Sequence, residues 1–110
     1  MIRTVLKRGA AELAILSLLE EGDAHGYKIA QGIEERSGGS LRFTLAALYP
    51  LLYRMETRGW IKGSWSTSDT GRRRRCYRLL PRGRKMLDPI RREWTELFHA
   101  MRLVGKVRNA

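Results

Sequence analysis

Residues 42–60, RFTLAALYPLLYRMETRGW, decide how the rest of the chain is read. With Thr44 as N-cap, Leu45, Leu48, Leu52 and Met55 follow at spacings of three, four and three, which puts them on one side of a helix. That side is expected to face the core. The opposite side carries Ala46, Pro50, Tyr53, Arg54 and Thr57, small near the start and aromatic or cationic farther along. A surface of that shape and charge suits a DNA groove. Pro50 lacks an N–H and crowds the carbonyl of Ala46, so a bend or loosened turn is expected early in the helix. Gly59 closes it.

Upstream lie two more helical patterns. Residues 10–21, AAELAILSLLEE, set Leu13, Leu16 and Leu19 three apart, with Ala11, Ile15 and Leu18 widening the apolar stripe, and Gly22 ends the run. Residues 1–8 form a basic lead without a readable pattern. A second helix is expected over residues 27–36, with Tyr27, Ile29, Ala30 and Ile33 inward and Asp23 or His25 capping its start. His25 reads as a cap and not as a catalytic base, because nothing near it in sequence would orient it. The connection to the third helix runs through Gly38, Gly39, Ser40, Leu41 and Arg42, longer than a minimal helix-turn-helix turn.

Downstream the period changes from 3.6 to 2. Ile61, Gly63 and Trp65 alternate with Lys62 and Ser64, and Tyr77 and Leu79 alternate with Cys76 and Arg78, as in two antiparallel strands joined by STSDTG. The tip of this hairpin carries Arg72, Arg73, Arg74 and Arg75, which must stay solvated or meet phosphate. Cys76 shares strand parity with Arg74 and Arg78; it reads as a small filler rather than a redox sensor. A last helix is expected from Pro81 to about Val104, with a kink at Pro89. Along it Met86, Ile90, Trp94, Leu97, Met101 and Val104 form a long, narrow stripe. A small core cannot cover such a stripe within one subunit, so these residues are expected to make a homodimer.

The 110 residues carry a formal charge of +11, which points to a polyanionic partner. The charge is also localised. Six of the eleven acids lie between Glu12 and Glu35, where Lys28 is the only base, whereas residues 71–85 hold eight bases and no acid. The single cysteine excludes an internal disulfide and fits a reducing compartment. No apolar run reaches the length of a membrane span and no secretory leader is evident, so the cytoplasm is the expected location. Neither histidine, nor the cysteine, has a partner spaced for catalysis, and there is no metal-spaced cluster or phosphate-binding glycine loop. No enzyme activity and no cofactor are expected.

The expected class is therefore mainly α with a small β-hairpin. It is a winged helix-turn-helix, residues 1–80, followed by a dimerisation helix and tail, residues 81–110. Residues 25–42, HGYKIAQGIEERSGGSLR, 48–61, LYPLLYRMETRGWI, and 71–87, GRRRRCYRLLPRGRKML, resemble the signature of PadR-type transcriptional regulators in their short form with one C-terminal helix. The resemblance spans roughly residues 10–98. It implies a homodimeric repressor whose third helix enters the major groove and whose wing meets the backbone or minor groove. It also places DNA contacts at Thr44, Tyr49 and Tyr53 and along the wing from Gly71 through Arg72, Arg73 and Arg74. Trp94 matches a tryptophan that, in multidrug-binding members, stacks on small planar aromatic ligands at the dimer interface. The chain departs from the family in having Leu45, Ala46 and Ala47 ahead of the LYP motif, where Pro and Gly are common, and Leu80 and Pro81 where a Thr cap is usual.

On physical grounds, Arg42, Arg54, Arg58 and the wing arginines would supply a phosphate-binding contribution independent of sequence, while Tyr49, Tyr53 and Arg54 would reach base edges. The alternative is an RNA-binding or ribosome-associated basic protein, whose basic residues should coat broad surfaces instead of gathering on a hairpin. A ligand-binding module without an operator is a second rival.

Overall fold

The computed structural model describes residues 4–106 and 108, with side chains from residue 9 onward. Its elements follow the order α1 (Thr4–Glu20), β1 (Ala24–His25), α2 (Gly26–Arg36), α3 (Leu45–Thr57), β2 (Ile61–Thr67), β3 (Arg73–Leu79) and α4 (Pro81–Gly105). Three helices followed by a hairpin and a long terminal helix make a winged helix-turn-helix with a C-terminal extension. No helix among the described residues is long and apolar enough to cross a membrane.

The third helix starts and stops as its sequence dictates. Thr44 Oγ1 accepts the Ala47 amide at 3.1 Å, which opens α3. At the other end Gly59, with φ +77°, lets the Trp60 amide reach the Met55 carbonyl at 3.0 Å while its own amide reaches Glu56 at 2.9 Å. This paired closure satisfies two carbonyls that the helix end would leave open. Between the caps α3 stays helical through Pro50, and the exposed Ala46 contributes the carbonyl that loses its donor.

Leu48, Leu51, Leu52 and Met55 form the buried side of α3, each burial worth about 1.5–3 kcal/mol. Leu45, expected in that row, is 36% exposed, and Leu51 takes its place. The reason is the width of the buried arc. Positions 48, 51, 52 and 55 follow an i, i+3, i+4, i+7 pattern, and Leu45, the first helical residue, lies beyond the edge of the core.

Helix α1 begins at Thr4, well ahead of residue 10, so part of the unassigned lead is helical; residues 1–3 lie outside the described residues. It contributes Ala11, Ile15, Leu16 and Leu19 to the core. Helix α2 buries Gly26, Ile29 and Ile33. Tyr27, expected inward, is 62% exposed, because a helix that starts one residue earlier makes Gly26 the first member of the buried row.

His25 has two roles at once. Its Nδ1 accepts the Lys28 amide at 3.2 Å, capping α2, and its backbone belongs to β1, which pairs with β3 through Ala24 opposite Tyr77 and His25 opposite Cys76. The sheet therefore has three strands, in the order β1-β3-β2, where a two-stranded hairpin was expected. Burial, then the nearby charges of Arg74 and Lys28, push the His25 pKa below its ordinary value. The cap needs an unprotonated Nδ1, so its stabilisation is complete above the unfolded pKa of about 6.5 and is lost as pH falls through the lower folded value. Replacing His25 by Ala should cost about 1 kcal/mol at pH 8. In thermal melts, the gap between the two proteins should narrow toward pH 5; a gap of constant size would show that His25 does not act as a proton-sensitive cap.

Helix α4 opens with Pro81 at its first position, and Leu80, which precedes it, has no side-chain cap. The Leu80 amide instead donates to the Trp60 carbonyl at 2.9 Å, fixing the start of α4 to the start of the wing. The helix continues past Pro89 without a break. Gly83 and Leu87 are buried, and Met86 and Ile90 pack against the same core. Arg91 then ties α4 to α1, reaching Glu20 at 3.0 Å and Ser17 Oγ at 3.3 Å. Farther along, Leu97, Phe98, Met101, Leu103 and Val104 are exposed. The six-residue stripe expected to pair two copies thus divides: Met86 and Ile90 pack against the core of the same chain, whereas Leu97, Met101 and Val104 have large apolar areas open.

Candidate nucleic-acid interface

The exposed face of α3 consists of Ala46, Ala47, Pro50, Tyr53, Arg54 and Thr57, flanked by Tyr49. Tyr53 is 71% exposed on it. Tyr49 is 44% exposed and leans over the start of α2, where its hydroxyl comes within 2.9 Å of the place a Cβ on Gly26 would occupy. The missing side chain of Gly26 is what admits the ring. Thr44 uses its oxygen as the cap acceptor, leaving its O–H able to donate. Small residues at the first turn and long ones at the next two allow a groove wall to approach the helix start closely while Tyr53 and Arg54 reach farther.

The wing turn is held by its own hydrogen bonds. Ser68 N donates to the Arg72 carbonyl at 2.8 Å, Arg72 N donates to Ser68 Oγ at 3.1 Å, and Gly71 takes φ +82°, where a side chain would be strained. Arg72, Arg73 and Arg74 are exposed around this turn. Among the described residues Arg54, Arg72 and Arg74 form no ion pair, which leaves them available to phosphate.

The other expected phosphate ligands already have partners. Arg42 pairs with Glu34 at 2.8 Å, and Arg58 pairs with Glu12 at 3.3 Å while its guanidinium lies 5.0 Å from the Trp60 ring centre. To meet DNA, either would exchange one carboxylate for a phosphate. Arg75, the fourth arginine of the run, turns back to Glu56 on α3 at 3.0 Å, and Arg73 lies 5.0 Å from the Trp65 ring centre. Glu56 carries no local signal in the sequence, and Trp65 shows there only as a strand residue. Their connection depends on strand register, which sets Trp65 opposite Arg75, and no local spacing reports it.

Between α3 and the sheet lies a cleft lined by Tyr49, Tyr53, Glu56, Thr57, Arg75 and Tyr77. Burial, aided by the Glu56 charge, raises the Tyr77 pKa, so its phenol stays protonated at neutral pH. Pairing with Glu56 raises that of Arg75, which stays charged. The cleft thus contains aromatic rings and one internally neutralised ion pair.

Two other predicted positions lie away from this face. Trp94 is half-buried on α4; its ring comes within 3.3 Å of a would-be Cβ on Gly9 and its centre is 5.8 Å from that of Phe98. Cys76 is half-buried with its sulfur 3.1 Å from Ser66 Oγ.

The chain matches the transcriptional regulator PadR-like family over residues 15–89. A transcriptional regulator of Mycobacterium tuberculosis is 36% identical over 91 residues, covering 83% of this chain and 81% of that protein. Among solved structures, a PadR family transcription regulator from Clostridium difficile is 32% identical with a TM-score of 0.74, covering 86% of this chain and 96% of that one. A transcriptional regulator from Clostridium thermocellum is 29% identical with a TM-score of 0.75, covering 99% and 100%.

Proposed function

The chain belongs to the PadR-like family of transcriptional regulators, and on that premise we propose that it is a cytoplasmic, homodimeric repressor that binds double-stranded DNA in a sequence-specific way. Residues 1–80 form the reading unit and residues 81–110 the dimerising helix and tail. The observation that carries this reading is that Tyr53 and Arg54 on α3 and Arg72 and Arg74 on the wing are all exposed, with none of the three arginines in an ion pair among the described residues.

In the proposed complex α3 lies in the major groove with Thr44, Tyr49, Tyr53 and Arg54 toward base edges and phosphates, and the wing from Gly71 to Arg74 follows the backbone. Arg42 and Arg58 join by releasing Glu34 and Glu12. A twofold axis through the C-terminal helices then presents two copies of α3 to half-sites about one helical turn apart, roughly 34–36 Å, or a multiple of that distance. A small planar aromatic ligand stacked on Trp94 between the terminal helices would release DNA by favouring a dimer with misspaced reading helices. It does so only through a difference in affinity between the two arrangements.

The test is footprinting on the DNA upstream of the protein's own coding region, followed by titrations of the protected duplex and a random duplex. Two symmetric protected half-sites are expected. With roughly four phosphates neutralised per subunit, log affinity should fall with log salt at a slope of about −7 per dimer. Tyr53→Ala should lower affinity for the protected duplex about 10- to 100-fold and leave the random duplex nearly unchanged. Joint replacement of Arg72 and Arg74 by Ala should weaken both and flatten the slope to about −4. A slope near zero, or a structured RNA that out-competes both duplexes, would refute the reading.

A further inference from the structure

Glu56 is an acid where three considerations disfavour one. It lies in the last turn of α3, where the helix dipole repels negative charge. It is the only acid on the helix that faces DNA in the proposed complex, and it lines the cleft beside Tyr53. What it gains there is a set of connections to the wing.

A single oxygen of Glu56, Oε2, accepts from the Gly63 amide on β2 at 3.3 Å and from Arg75 Nη2 on β3 at 3.0 Å. One carboxylate thereby joins α3 to both wing strands. Gly63 makes this geometry available, since a Cβ there would stand 2.6 Å from Arg75 Nε; its absence lets the guanidinium cross the sheet toward α3. The chain of contacts continues toward the tip. Arg75 Cζ is 5.6 Å and Arg73 Cζ is 5.0 Å from the Trp65 ring centre, so one indole lies against both guanidinium groups and offsets their repulsion. An isolated exposed ion pair contributes little and fixes no geometry. Here the pair is mostly covered, with side-chain exposures of 31% for Arg75 and 23% for Glu56, and it is one step in a continuous series.

We propose that Glu56, Arg75 and Trp65 form a strut between α3 and the wing that holds Arg73 at a set distance from Tyr53, making Glu56 a positioning residue for sequence selection although its charge opposes DNA. This rests on the DNA-binding reading above. The strut sets where the wing meets the backbone when α3 is seated in register. Without it the wing remains basic but no longer favours that one register.

Charge alone and positioning predict different outcomes for Glu56→Gln, which keeps the shape and removes one negative charge per subunit. In the free protein, amide exchange at residues 63–67 of β2 should quicken about tenfold while the core amides of α1 and α2 keep their rates. In titrations, affinity for a random duplex should rise, because Arg75 is released and a negative charge is gone. The preference for the footprinted upstream duplex over the random one should fall about tenfold. Trp65→Ala should lose the same preference, and Trp65→Phe, which keeps an aromatic face, should retain most of it. Unchanged exchange, or equal shifts for both duplexes, would overturn the strut while the wild-type preference left the DNA-binding reading intact. A wild-type protein with no preference between the duplexes would overturn both.

Discussion

If two copies pair through α4 as proposed, replacing Leu97, Phe98 and Met101 together by Gln is expected to give a folded monomer that binds the footprinted duplex about a thousandfold more weakly than the parent protein. All three residues are exposed on the described subunit, so removing their apolar surface takes nothing from its core. What it removes is the surface that would pair with a second copy. The loss in DNA affinity follows from effective concentration. In a dimer the second reading helix is already held near its half-site, and separation turns one event of high avidity into two weak ones. Sedimentation and circular dichroism read the two halves of this expectation separately. Native helicity with a dimeric mass would refute the assignment of these residues. The charge is unchanged, so binding to a random duplex by a single subunit should keep its salt dependence per subunit.

Gly83→Ala should lower the thermal midpoint by roughly 10 °C. Helix propensity predicts the opposite sign, since Ala in place of an interior helical Gly stabilises by about 0.5–1 kcal/mol. Packing decides here. A Cβ at position 83 would stand 2.2 Å from the Trp60 carbonyl oxygen and 2.9 Å from Leu79 Cδ1. That oxygen also accepts the Leu80 amide, so relieving the clash means moving α4 off the wing and lengthening the bond that joins them. A cost of about 2–3 kcal/mol is expected from overpacking of this kind. An unchanged or higher midpoint would show that the start of α4 can shift freely.

Local signals were legible in the sequence and distant pairings were not. The Thr44 cap, the Gly59 stop, four helices in order and the period-2 strands each depend on residues within a few positions of one another, and each is present. β1 was missed because two residues cannot display an alternation, and its existence depends on β3, far along the chain. Leu45 and Leu51 exchanged places because spacing gives the direction of a buried arc but not its width. At the interface, Tyr53 and Arg54 are exposed on the face read from the helical period, and the wing arginines gather at the turn. The pairings of Arg42 with Glu34, Arg58 with Glu12 and Arg75 with Glu56 appear only when separate elements are brought together. They change which of the basic residues are available to phosphate, something a count of charges cannot reveal.

The placement of β1 has a consequence for how copies of the protein coexist before any DNA is bound. β1 covers β3 only at Tyr77 and Cys76, so from Arg75 to Arg73 one edge of the central strand has no paired strand among the described residues. An uncovered strand edge is a template on which another chain can add, the usual route to sheet-to-sheet aggregation. Arg73, Arg74 and Arg75 occupy that edge; Glu56 neutralises Arg75, but an identical chain would still set the charges of Arg73 and Arg74 against two of the same sign. Like charges directly across a strand pair repel. The arginines of the wing therefore oppose self-association along that strand edge, which agrees with the proposal that two copies pair through α4.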